Sequence, residues 1–293
     1  MRKITYVTIA IFLVLALTLG VLSFDVFARP LALGISPNLG LATSFSVLGH
    51  TTVTNTGPTS MPGDLGVDGG AVSDLGTLTV GGMIYESTAT EADNAQSANT
   101  AAFGVLDQTC DTTWPGSVVE LGGRTLVPGV YCADSFGLTG TLTLNGGPGD
   151  VFIFKAASTL VTASGSSVVG GDPCNIWWRV GSSATLNTRT SFIGNILALT
   201  DIGLLTNASL NGRAMVQTGQ VTLDTNVFTG PVCAQQVTTT AETTTTVVPG
   251  LPGTGGAPIR NAAFPWSMVI LGGFSAIALI LGIRAYRSIY RSK

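Results

Sequence analysis

Leucines flanked by threonines recur along the middle of the chain: "TLTV" from Thr77, "TLTL" from Thr141, "TLVT" from Thr159, "TLNT" from Thr185, "LLTN" from Leu204 and "TLDT" from Thr222. Alternation of apolar and polar residues marks a strand with one face buried. Leu78, Leu142, Leu160, Leu186, Leu205 and Leu223 are therefore expected in a core, and several lie 18 or 19 residues apart. A second frame keeps that step: Gly194, Gly212 and Gly230 are each 18 apart, and "NILALT" aligns with "RAMVQT". Gly and Asn between the alternating runs mark corners. A chain that returns every 18 or so residues with about three strands per turn makes a parallel β-helix, each coil pairing with the next at roughly 4.8 Å.

One segment breaks this rhythm. In "ESTATEADNAQSANTAAFGVLDQT", Thr88 and Glu91 form a capping box, and Ala89, Ala92, Ala95, Ala102, Phe103 and Leu106 form an apolar face. This predicts one helix over about 87–108. Leu197, Leu199 and Met215, which alternation turns away from the coil interior, are its expected partners.

Composition changes the picture at both ends. "MRKITYVTIAIFLVLALTLGVLSFDVFA" has Arg2 and Lys3 ahead of an apolar run and small residues at Val26 and Ala28. It reads as a signal peptide over 1–28, the alternative being a retained anchor helix. After the Thr-rich stretch Thr238 to Thr246 comes "LPGTG", then the apolar run Ala262 to Ile283, then Arg284, Arg287, Arg291 and Lys293. As a helix that run spans about 33 Å, enough for a bilayer core, with the basic tail inside. The Thr-rich stretch has too little apolar surface to fold and reads as a stalk open to O-glycosylation. Leu251, Pro252, Gly253, Thr254 and Gly255 look like the sorting signal of Gram-positive surface proteins, cut by a sortase between Thr254 and Gly255. The alternative is a linker before a plain membrane anchor. The expected organisation is thus a folded domain over 36–235, a stalk with the sorting motif over 236–260, a transmembrane helix over 262–283 and a cytoplasmic tail over 284–293, which places the domain on the outer face of the cell envelope.

The exported part, Arg29 to Val237, has six Lys or Arg against fourteen Asp or Glu. Such a balance excludes a nucleic-acid partner. Cys110, Cys132, Cys174 and Cys233 form no C-x-x-C pair and the chain has a single His, so no zinc site is expected. An even count in an exported chain predicts two disulfides. Three connectivities are open; Cys110 with Cys132 and Cys174 with Cys233 is favoured, each pair bracing one end of the domain. Enzymatic constellations are lacking: His50 stands alone in a Ser/Thr-rich block. Asp64, Asp68 and Asp74 do not have the spacing of an EF-hand loop and read as corner residues. Trp177 and Trp178 with Phe152 and Phe154 suggest a sugar-stacking platform, but adjacent strand residues face opposite ways, so one Trp is expected in the core. The reading is of a non-enzyme without metal or cofactor.

Four blocks in order carry a resemblance: "LATSFSVLGHTTVTNTGPTSMPGDLGV", "LTGTLTLNGGPGDVFIFKAASTLVTASGSSVVGG", "CNIWWRVGSSATLNTRTSFIGNILALT" and "LNGRAMVQTGQVTLDTN". From about Leu39 to Cys233 the chain resembles the ice-binding-like family of secreted microbial proteins, which includes bacterial and fungal ice-binding proteins and adhesins. The resemblance implies an all-β solenoid, right-handed and triangular in section, with one α-helix alongside and one flat face that binds ice. Ice presents oxygens at regular spacing without net charge, so a matching surface is flat, rigid and set with methyls and hydroxyls. Thr141, Thr159, Thr185 and Thr222 on one side of the core leucines and Thr143, Asn187 and Thr206 on the other are its expected rows, extended by Thr162, Thr188 and Thr225. Thr is also favoured on any exposed strand, and Arg189 and Asp224 break the neutrality. Two functions follow: a surface-anchored ice-binding protein, or a solenoid adhesin or envelope protein without ice activity.

Overall fold

A computed structural model describes residues 34–230 and Cys233. The segments expected as signal peptide and stalk, the "LPGTG" motif, the run Ala262 to Ile283 and the basic tail lie outside the described residues. Among those described, no helix is long and apolar enough to cross a membrane.

Three sheets of nine, eight and eight strands enclose one core, and every strand pairing is parallel. Successive coils visit each sheet in turn, the topology that the 18-residue step predicts; Asn195 and Arg213 occupy neighbouring coils at that separation. Gly212 shows why small residues recur at one corner: a Cβ there would lie 1.9 Å from the carbonyl oxygen of Gly194 one coil away. At another corner the left-handed conformation repeats from coil to coil, at Gly140 and Gly165, then Arg189, Asn207 and Thr225.

Stack order departs from chain order. Strand Phe45–Gly49 pairs with Ala214–Val216, and Thr52–Asn55 with Gln220–Leu223. The two N-terminal coils thus sit on the last coil, and the chain then crosses to the far end, where strand Thr112–Thr113 begins the stack upward. The connection is helix α1, Thr90–Val105. It is shorter than expected, starts from Ala89, and has no side-chain cap. The expected capping box does not form because Thr88 lies outside the helical turn. The helix docks on the outer face of the nine-stranded sheet, where Ala95, Ala102 and Leu106 join Leu48, Ile153, Trp177, Leu197 and Met215 in a second apolar cluster. Its polar residues bond across: Gln96 Nε2 donates to the carbonyls of Val216 and Gln217 at 2.8 and 3.0 Å, and Asn99 Nδ2 to Val216 at 3.0 Å. Beyond its C-terminus, Asp107 meets Lys155 Nζ at 2.7 Å. The Lys155 hydrogen bond, aided by the Arg179 charge, holds the Asp107 carboxyl below its ordinary range. That contribution is therefore present at neutral pH and lost only as pH falls through the depressed value.

Inside the solenoid, Leu142, Leu160, Leu186 and Leu223 are buried as expected. Leu205 is 41% exposed, because Leu204 takes the inward position and the frame is displaced by one residue. Leu199, also 41% exposed, lies beyond the end of strand Asn195–Ala198 and misses the helix. Trp114, Tyr131, Phe154 and Trp178 stack at one position of successive coils, the last two with ring centroids 4.0 Å apart. Trp177 is buried on the opposite face of the same strand, beneath the N-terminal segment, so the stacking platform for a sugar does not exist. Disulfides join Cys110 to Cys132 and Cys174 to Cys233.

Candidate functional site

With one sheet covered by the helix, two sheets face outward. In the first, the strands run in order Ala71–Asp74, Thr52–Asn55, Gln220–Leu223, Ile202–Leu204, Ala184–Leu186, Leu160–Thr162, Phe136–Leu138 and Val119–Glu120. Alternation sends Val53, Val221, Leu223, Ile202, Leu204 and Leu186 into the core and leaves a middle row outside. Cα pairing aligns Ser73 with Thr54, Thr54 with Thr222, Thr222 with Gly203 and Gly203 with Thr185. The row continues through Val161 and Gly137 to Glu120. No register shift interrupts these seven pairings, so at roughly 4.8 Å per strand the row runs about 34 Å.

The middle row is uncharged until its last member. Burial opposes ionisation of Glu120, but the N–H groups of Gly122 and Thr139 hold its carboxyl below the ordinary range; these contacts are 2.8 and 2.6 Å. The acids beside the row are likewise tied down. Asp201 accepts from Gln220 N at 2.9 Å, and Asp224 from the hydroxyls of Thr206 and Thr225.

Of the residues expected from sequence, Thr185 and Thr222 stand in this row. Thr159 precedes strand Leu160–Thr162, its hydroxyl on Ser135 Oγ at 3.2 Å. Thr162 is 1% exposed and takes no part in the surface; its hydroxyl meets that of Thr190 at 2.8 Å inside the corner. Asn187, Thr188, Thr206 and Thr225 occupy the corner between the two open sheets, and Arg189 sits there too, in the left-handed conformation and exposed. Thr141 and Thr143 belong to the other open sheet. The expected set therefore wraps an edge instead of lying on one plane. Thr54, Ser73 and Gly203 were missed. The signal for Thr54 is "TVTN", an alternating run without the leucine that picks out the other strands.

His50 Nδ1 meets Asp68 Oδ1 at 2.9 Å at a corner. Asp64 accepts from Met83 N, and Asp74 from Gly76 N, Leu78 N and Asn55 Nδ2, so all three serve their coils. Among the described residues, no cluster of three or more His, Cys, Asp or Glu is arranged to hold a metal. A cavity of about 640 Å³ opens beside the N-terminal segment, near the Cys174–Cys233 disulfide and Arg213. Burial lowers Arg213 to about 10, and its N–H groups are taken by Thr43 O at 2.7 Å and Asn195 Oδ1 at 2.9 Å.

A rigid parallel β-solenoid with one side sealed by a helix and a long uncharged row on another is a scaffold for surface recognition. The chain belongs to the ice-binding-like family, whose model matches residues 47–229. It is 43% identical over 221 residues to an ice-binding protein of Nostoc sp. (strain HG1), covering 72% of this chain and 80% of that one. Among solved structures, the ice-binding protein of the Antarctic ascomycete Antarctomyces psychrotrophicus superposes with TM-score 0.64 at 34% identity, over 68% of this chain and 100% of that chain. An ice-binding protein from an Antarctic biological consortium gives 0.61 at 33% identity, over 66% and 90%. These relatives are ice-binding proteins, and the family is not one of enzymes.

Proposed function

We propose that this protein binds ice through the sheet whose middle row includes Ser73, Thr54, Thr222 and Thr185, and that it does so at the cell surface. The unbroken register of that row carries the reading. Ice is a neutral lattice of evenly spaced oxygens, and Ser73, Thr222 and Thr185 hold hydroxyls at multiples of one strand interval, the Thr54 hydroxyl being buried, on a paired backbone that meets a lattice with little loss of conformational freedom on binding. Family membership supports the same reading.

The test is thermal hysteresis and ice-crystal shaping by purified residues 29–237. That stretch holds the domain that makes up the whole of the Antarctomyces chain. Faceted crystals and a freezing point held below the melting point are expected. Their absence at every concentration would favour a solenoid adhesin without ice activity, a reading to which the gaps at Gly203 and Gly137 lend weight.

The placement rests on sequence. A signal over 1–28, a stalk over 236–260, a span over 262–283 and a basic tail over 284–293 would hold the domain outside the cell, and "LPGTG" would pass it to a sortase. Thr254→Ala is expected to leave the protein extractable by detergent with its C-terminal segment attached, while the native form is released by wall hydrolases. Equal detergent extraction of both forms would refute the sorting step and leave a membrane anchor.

A further inference from the structure

The second open sheet differs from the other two in one respect: none of its eight strands contains an Asp, Glu, Lys or Arg. In the ice-facing sheet proposed above, charge enters at the two end strands, through Asp74 and Glu120. The helix-covered sheet carries Asp64, Lys155 and Arg179. Exposed surfaces are ordinarily about 25–35% charged, which keeps them soluble. A water-facing sheet eight strands wide without one charge is therefore poorly explained by solubility.

Its outward positions are ordered. Cα pairing aligns Thr141, Ser167, Ser191 and Ser209, and carries the row on through Val227 to Ser60. Beside it runs a second line through Thr143 and Val169. Val169 and Val227 are 42% and 47% exposed, so methyls as well as hydroxyls face outward. This sheet adjoins the ice-facing sheet along the corner that holds Asn187, Thr188 and Thr206.

The strands of this sheet carry no cation for a phosphate or polyanion, no acid for a metal and no exposed aromatic for a sugar ring, and the exposed Arg189 lies at the bordering corner. A neutral, periodic ligand fits its lack of charge and its repeat. We propose that this sheet is a second ice-contacting plane, so that the protein engages ice with two planes meeting at an edge. Each plane would take a different crystal face. The register shift between Leu210 and Asn211 falls after the Ser209–Val227 pair and leaves the first row unbroken. The proposal rests on the ice-binding reading and adds a surface to it.

The test uses residues 29–237 fused to a fluorescent protein, frozen onto a single ice crystal so that each bound crystal plane lights up. Ser191→Tyr is expected to remove one set of lit planes and Thr185→Tyr another, with the double variant dark and melting temperatures unchanged. Ser209→Lys, which places a charge in the same row without bulk, should repeat the Ser191→Tyr loss if that variant misfolds. A pattern unaltered by both Ser191→Tyr and Ser209→Lys overturns the second plane. So does the same unaltered pattern accompanied by loss of a native dimer, which would make this sheet a contact between two copies. If the native fusion lights no plane, the ice-binding reading itself fails, and this one with it.

Discussion

Trp178→Ala is expected to cost the domain about 3–5 kcal/mol, the range for truncating a fully buried large aromatic. The ring is 0% exposed. It lies 4.0 Å from Phe154 and 4.8 Å from Phe192 between centroids, and its Nε1–H donates to the carbonyl of Ile193 at 3.0 Å. Truncation removes the link between the aromatic stack below and the aliphatic coils above, and leaves the Ile193 carbonyl without that donor. For a domain of this size each kcal/mol moves the melting temperature by about 2–4 °C, so a drop of roughly 6–20 °C is expected in a thermal melt. In a solenoid, where each coil contacts its neighbours, the damage should spread to the adjoining coils before the ends. A fall of less than about 2 °C would mean that the stack repacks around the gap and that its continuity contributes little.

The parts of this architecture legible in sequence are those that repeat locally. Alternation around Leu142, Leu160, Leu186 and Leu223 placed these residues correctly because inward and outward positions differ in chemistry. The helix was legible for the opposite reason, as a stretch where alternation stops. Which sheet a strand joins was not legible. All three sheets have the same inward chemistry, so Thr141 beside Leu142 and Thr185 beside Leu186 look alike in sequence yet lie on different planes. The stacking of the N-terminal coils on the last coil was hidden as well, because it is a pairing between segments far apart in the chain. A slip of one residue at Leu204 and Leu205 exchanged inside for outside, a hazard of any period of two.

The placement of residues on planes decides what a single bulky side chain does. Thr185→Tyr should abolish crystal shaping, since Thr185 stands in the middle row with Gly203 and Val161 as its neighbours in register, and a ring there would hold the rest of the row off a flat lattice. The fold should tolerate it, because the position faces outward on a strand, where an aromatic is well accommodated. Thr206→Tyr makes the comparison. Thr206 was expected in the same plane, but it occupies the corner, exposed, with its hydroxyl on Asp224. There a ring can turn away from the plane, so most of the activity should remain. Gly203→Thr runs the other way: an added Cβ meets nothing within 4 Å, and the new hydroxyl and methyl close the gap between Thr185 and Thr222, so hysteresis should rise. Measured on folded protein with matched melting temperatures, the expected order of activity is Gly203→Thr above native, Thr206→Tyr close to native, and Thr185→Tyr near zero. Equal losses for Thr185→Tyr and Thr206→Tyr would move the contact surface to the corner, and an unaffected Thr185→Tyr variant would remove this sheet from ice binding.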